Sequence, residues 1–120
     1  MADALLIRRP MADERINILY VEDAPALRSL VIAAFDPAHF HVVVAGGSPA
    51  AAFLALRQPF DLVVCGCAAT ARAMWELVDG RPTRIVVVGA IARDLLPPRV
   101  QALPLPTAEG LRDAALRNAR

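Results

Sequence analysis

The chain has 120 residues, of which 57% are hydrophobic and 21% are charged. It therefore holds enough apolar material for one compact core, which excludes general disorder, and it is too short for a second domain. Thirteen basic residues, all of them arginine, stand against twelve acidic ones, which argues against a nucleic-acid-binding domain. No stretch approaches the roughly 20 apolar residues of a membrane-spanning helix. We therefore expect a cytoplasmic protein without nucleic-acid or membrane partners.

Residues 1–15 precede the first regular pattern. They combine mixed charge with Pro10, so we interpret them as a flexible leader and residues 16–120 as the folded domain. The leader has one apolar run, residues 4–7, which is too short for the core of a signal peptide and has its arginines after it rather than before it.

Five short apolar runs predict β-strands. Four of them are rich in branched side chains, as is typical of strands buried on both faces, and the fifth is weaker. The runs are residues 16–21, 42–45, 62–65, 85–88 and 100–103.

Segments with helical periodicity lie between these runs. We predict a helix with Pro25 in its first turn, helices over residues 49–58 and 70–79, and a last helix that begins near Thr107. Residues 91–96 give barely a turn and a half before two prolines, so the fourth helix is predicted to be shortened or missing. Strands that alternate with helices predict a flavodoxin-like α/β fold, a doubly wound, five-stranded parallel sheet in the order 2-1-3-4-5.

Functional residues are expected where the strands end, because the crevice of such a sheet lies there. Glu22 and Asp23 follow the first strand. Adjacent carboxylates repel each other, so a pair is typical of a place where a cation or a partner's donors compensate the charge. The alternative is that Asp23 caps the first helix while Glu22 is solvated. No nucleophile and base converge at the other strand ends, so we expect no enzyme.

Three segments in order resemble the receiver domain of two-component response regulators. Residues 16–28, INILYVEDAPALR, are similar to its opening strand, acidic pair and first helix. Residues 42–47 and 60–64 are similar to its second and third strands. The resemblance spans residue 16 to about residue 118, and it implies the flavodoxin-like fold and a role in bacterial signal transduction.

The resemblance also implies that the phosphoryl acceptor has been lost. In the family, a histidine kinase passes a phosphoryl group to an aspartate at the end of the third strand, and the acidic pair helps to hold a magnesium ion. Gly66 occupies that position here. Asp61 is not a replacement, because five residues of extended chain at about 3.3 Å each place it at the opposite end of the strand.

The partners of that aspartate are also replaced. Gly89 stands where the family has a switch hydroxyl, and Leu105 stands where it has a lysine. The resemblance therefore implies a degenerate receiver, or pseudo-receiver, that acts by protein–protein interaction, independently of phosphorylation and without a cofactor. The expected partner is a histidine kinase, a phosphotransfer protein, another regulator or a second copy. Any magnesium binding by Glu22 and Asp23 alone is expected to be weak.

Two alternative functions use the same scaffold. Small residues at the strand ends leave room for a small-molecule site. Cys65 and Cys67 form a C-x-C pair at the end of the third strand and suggest a thiol redox sensor, although free cysteines in apolar strands, Cys65 above all, are usually core residues. Trp75, the only tryptophan, is either an interface residue or a cover over the boundary between helix and sheet.

Overall fold

A computed structural model describes residues 15–24, 26–89, 91, 93–104 and 107–118. The predicted leader up to residue 14 and the position of Leu105 lie outside the described residues. Within them, no helix is long and apolar enough to cross a membrane.

Strands and helices alternate along the chain. The elements are β1 (Ile16–Val21), α1 (Leu27–Ala34), β2 (Phe40–Ala45), α2 (Ser48–Arg57), β3 (Leu62–Cys65), α3 (Ala68–Val78), β4 (Arg84–Val88), β5 (Gln101–Leu103) and α4 (Ala108–Asn118). The strands form one parallel sheet in the order β2-β1-β3-β4-β5. This is the predicted flavodoxin-like fold.

The connection between β4 and β5 has no α-helix among its described residues. It contains a single 3₁₀ turn, Arg93–Leu95, so the prediction of a shortened fourth helix is confirmed. The Arg93 guanidinium donates hydrogen bonds to the carbonyl oxygens of Val100 at 2.5 Å and Pro98 at 2.6 Å. These bonds hold the short connection against the start of β5.

The sheet separates two apolar layers. Leu19 and Val21 point to the face covered by α2 and α3, whereas Ile18 and Tyr20 point to the face covered by α1 and α4. The alternation follows from the period of two in a strand. All four residues of β3 are fully buried, as expected for a central strand of a doubly wound sheet.

The second strand is longer than predicted, since it begins at Phe40 rather than at residue 42. Its pairing with β1 starts early because the Ile16 amide donates to the His39 carbonyl at 3.0 Å. Phe40 is buried against the ring of Phe35, with 4.9 Å between the ring centroids. The sequence pattern concealed this, because exposed His41 interrupts the apolar run.

Candidate functional site

The carboxyl ends of β1, β3 and β4 lie at one edge of the sheet, as the parallel topology requires. Glu22 and Asp23 follow β1, Gly66 follows β3, and Gly89 follows β4. Because β1 and β3 are hydrogen-bonded neighbours, the acidic pair is adjacent to Gly66. The acidic pair, Gly66 and Gly89 therefore lie at one edge of the sheet, whereas Trp75 lies elsewhere and Leu105 is outside the described residues.

The side chain of Asp23 reaches across to the end of β3. Its Oδ1 accepts a hydrogen bond from the Gly66 amide at 2.8 Å. A Cβ added at Gly66 would lie 2.7 Å from the Cβ of Ala24 and 3.1 Å from Asp23 Oδ1. The end of β3 is therefore closed to a side chain of any kind unless the loop after β1 moves.

A second aspartate makes the equivalent contact at the other end of the same strand pair. Asp61 precedes β3, and its Oδ2 accepts a hydrogen bond from the amide of Asn17 at 2.8 Å. This is the opposite end of the strand from Gly66, as the sequence predicted. Asp61 and Asp23 thus each link β1 to β3. Hydrogen bonds from backbone amides to ionised carboxylates are among the stronger hydrogen bonds in proteins.

The interpretation of Asp23 as a helix cap is wrong. The residue that precedes α1 is Ala26, and no side chain caps the helix there. The side chain of Asp23 contacts the neighbouring strand instead. Its second oxygen, Oδ2, is buried and has no hydrogen-bond partner in the described part of the chain.

The negative charge of Glu22, the other member of the acidic pair, is compensated by an arginine of the same chain. Arg28, on the exposed side of α1, donates from Nε to Glu22 Oε2 and from Nη2 to Oε1 at 2.8 Å. The hydrogen bonds from Arg28 lower the pKa of Glu22 below its usual value. The pair is solvent-exposed, so it contributes little to stability, but it occupies both oxygens of Glu22.

This donor set does not fit the magnesium site that the family resemblance implies. Mg²⁺ is bound by carboxylate oxygens in near-octahedral geometry, but the Arg28 guanidinium covers both oxygens of Glu22 and places a positive charge beside them, and Asp23 Oδ1 accepts from Gly66. The described residues also contain no group of three His, Cys, Asp or Glu side chains placed to hold a metal ion.

Gly89, where the resembled family has a switch hydroxyl, has a backbone conformation that favours glycine. Gly89 has a φ of +130°, in the region that side chains with a Cβ rarely adopt. Its amide donates to the Leu103 carbonyl at 3.0 Å, which fixes the end of β4 against β5. A serine or threonine here would be strained, although the space around the position is open.

The two cysteines have different environments. Cys65 is fully buried, and burial raises the pKa of its thiol to about 12. Cys67 is partly exposed and stands at the N-cap of α3, where its sulfur accepts from the Thr70 amide at 3.5 Å and lies 3.2 Å from Thr70 Oγ1. Sequence reasoning missed this cap. The signal was a C-x-x-T spacing at the start of a helix.

Trp75 lies on α3, partly buried against the apolar layer beneath that helix. With Arg84 and Arg99 it lines a hollow of about 20 Å³ near the start of β4, which is room for one water molecule. The start of β4 is at the opposite edge of the sheet from Glu22 and Gly66.

Sequence reasoning also missed an apolar groove of about 280 Å³ on the flank of the sheet, between α1 and the edge strand β2. Tyr20 forms part of its wall. The signal was that Val42 and Val44 are both apolar on one face of a strand at the edge of the sheet.

No protein-family model matches the chain, and no curated protein is significantly similar to it in sequence. Any functional assignment therefore depends on the geometry described above.

Proposed function

We propose that this chain is a pseudo-receiver, a receiver-like domain of two-component signalling that binds another protein and accepts no phosphoryl group. The observation that carries the proposal is the contact between Asp23 and Gly66. The strand order and the acidic pair after β1 are those of the resembled family. The position of that family's phosphoryl acceptor, however, is occupied by Gly66, whose amide donates a hydrogen bond to Asp23.

Three further features support a function without phosphorylation. Gly89 has a backbone conformation that disfavours a residue with a hydroxyl group. The chain contains no lysine, so no ammonium group is available to pair with a phosphoryl group. Glu22 is bound by Arg28 rather than left open to a cation. The acceptor, the switch hydroxyl and the lysine of the resembled family are thus all replaced, and the retained acidic pair is hydrogen-bonded within the chain.

Hydrogen bonds link the strand ends of this chain, and we infer that they keep one arrangement. Asp23 and Asp61 tie β1 to β3 at both ends, and the Gly89 amide ties β4 to β5. A fixed surface of this kind suits a domain that is regulated by its abundance or by its partner. Protein binding is therefore the function that the geometry supports best, with a histidine kinase, a phosphotransfer protein, another regulator or a second copy as the partner.

The absence of phosphorylation is tested with acetyl phosphate and Mg²⁺, followed by intact-protein mass spectrometry. We expect the mass of the chain to stay unchanged under conditions that fully modify an active receiver domain run in parallel. A mass increase of one phosphoryl group that hydroxylamine removes would contradict the proposal, because it would reveal an aspartyl phosphate.

Protein binding is tested by immobilising the purified chain in its native lysate and identifying the retained proteins. The double variant Glu22→Ala/Arg28→Ala tests the surface beside the closed site and leaves Asp23 in place. Asp113→Ala/Arg117→Ala on α4 removes the same charges elsewhere. We expect a two-component signalling protein on the parent and on the α4 control, and less of it on the first variant. Failure to retain any signalling protein, together with monomeric sedimentation, would contradict the proposal.

A further inference from the structure

The groove between α1 and β2 exposes large apolar side chains. Ile32 on α1 is 69% exposed and Val44 on β2 is 51% exposed, and both line the groove together with Phe35, Pro37 and Val42. Isolated exposed apolar residues need no explanation, but a group of them around one concave surface is typical of a binding site.

The groove is a consequence of the fold. α1 buries Leu27 and Val31 against the sheet, and the face of the sheet beyond it ends at β2, which has a neighbouring strand on one side only. Val44 pairs with Tyr20 of β1, yet Tyr20 is buried and Val44 is exposed. α1 therefore covers the face of the sheet at β1 but leaves it exposed at β2.

Tyr20 forms the floor of this apolar groove. Its side chain lines the groove and is 1% exposed, whereas its hydroxyl is buried and has no hydrogen-bond partner within the described residues. Because the hydroxyl is not accessible, a docked segment meets the apolar side chains of the wall. A peptide segment with apolar side chains suits such a surface.

The first described residue of the chain, which follows the leader, lies next to the groove. Arg15 is the first described residue, and its guanidinium donates to the carbonyl of Pro37 at 3.3 Å. Pro37 is itself part of the groove wall. The chain that precedes Arg15 therefore starts from one end of the groove.

The leader also has a suitable segment within reach. Its apolar run, residues 4–7 with the sequence ALLI, is separated from Arg15 by seven residues, which span up to about 23 Å when extended at about 3.3 Å each. The stretch of β2 from Phe40 to Val44 spans four residue-to-residue steps, or about 13 Å. The run can therefore reach any part of the groove.

We infer that the groove between α1 and β2 is the docking site of this chain's own leader, with residues 4–7 held against Ile32 and Val44. The inference does not rest on the proposed signalling function. It assigns an occupant to the exposed apolar surface between α1 and β2.

The test compares methyl NMR spectra of the full chain with those of a chain that begins at Met11. We expect the methyl signals of Ile32 and Val44 to shift on truncation, and those of Leu77 on α3 to stay in place. Leu5→Asp/Leu6→Asp should reproduce the truncated spectrum. Met11→Asp/Ala12→Asp adds two aspartates outside the apolar run and should leave the spectrum of the full chain unchanged.

Two further measurements address the groove itself. A synthetic peptide of residues 1–12, added to the truncated chain, should return the signals of Ile32 and Val44 to their positions in the full chain. Ile32→Asp should abolish this effect on the signals of Val44, and the fold should tolerate it because the side chain is largely exposed. Phe53→Asp, at an exposed position on α2, is the matched control.

Three outcomes would overturn the inference. Identical signals for Ile32 and Val44 in the full and truncated chains would show that the leader does not occupy the groove. Shifts that depend on protein concentration, with a dimer in sedimentation, would assign the groove to a second copy. A small apolar molecule retained by the full chain in native mass spectrometry, and lost in Ile32→Asp, would assign it to a free ligand.

Discussion

Replacing Gly66 by alanine is the smallest change that tests whether the end of β3 is closed to side chains. The new methyl carbon would lie 2.7 Å from the Cβ of Ala24, whereas carbon atoms in favourable contact are about 3.5–4.0 Å apart. The alanine side chain has no flexible end that can move aside, so the backbone after β1 must shift. Overpacking of this kind costs about 1–3 kcal/mol.

Backbone strain and conformational entropy also contribute to the effect of this substitution on the free energy of unfolding. The φ of Gly66 is not positive, so alanine introduces no backbone strain there. Alanine also loses less conformational entropy on folding, which offsets about 0.4–1 kcal/mol of the cost. We therefore expect Gly66→Ala to lower the free energy of unfolding by about 1–2 kcal/mol, or the Tm by about 4–8 °C in a domain of this size.

The assay is urea unfolding followed by the fluorescence of Trp75, the only tryptophan, in a double-mutant cycle. Ala24→Gly removes the methyl group that blocks the position, so Gly66→Ala should cost about 1 kcal/mol less in that background. Gly46→Ala is the matched control, because a Cβ at Gly46 meets nothing within 4 Å. Equal losses in both backgrounds, or no loss at all, would refute the steric argument.

Three other measurements test the environment of single residues. With the leader removed, Tyr20→Phe should leave the free energy of unfolding unchanged or raise it by up to about 1 kcal/mol, because the buried hydroxyl has no partner among the described residues; a loss in urea unfolding would contradict this. Hydrogen bonds, the strongest from Arg112 and the next from His39, lower the pKa of Asp36 from 3.8 to about 2. The stabilisation that these bonds provide is therefore complete above pH 3.8 and is lost as the pH falls towards 2. Asp36→Asn should therefore be less stable than the parent at pH 6, with a difference in Tm that closes between pH 4 and pH 2, and a constant difference would disprove the assignment. An alkylating reagent at neutral pH should label Cys67 before Cys65, whose burial raises its pKa to about 12; equal rates in a mass-spectrometric time course would be inconsistent with that burial.

The fold was predictable because its signals are local. A central strand such as β3 is buried on both faces, so its apolar run of residues 62–65 coincides with the observed strand. The shortened connection after β4 was predictable because prolines end helices. The start of β2 was missed, since the pairing of Ile16 with Phe40 joins residues far apart in the sequence and leaves no mark on the periodicity of either segment.

The sequence predicted which residues lie at the candidate site but not which contacts they make. The positions of Glu22, Asp23, Gly66 and Gly89 follow from where the strands end. Their contacts do not, because the bond between Asp23 and Gly66 joins residues that are 43 apart in the sequence. Sequence reasoning weighed two roles for Asp23, a helix cap and a cation or partner site, and the structure shows a third, a tie between strands.

The glycine at position 66 and the role of Asp23 are physically coupled. A side chain at Gly66 would meet Ala24 and the carboxylate of Asp23, so the present loop after β1 requires glycine there. The carboxylate in turn needs a donor, and the Gly66 amide supplies it. An aspartate at position 66 would clash with the loop and place a second carboxylate beside Asp23, where like charges repel. A phosphoryl acceptor at the end of β3 would therefore require changes in the loop after β1 as well, and this is why we propose a function outside phosphoryl chemistry.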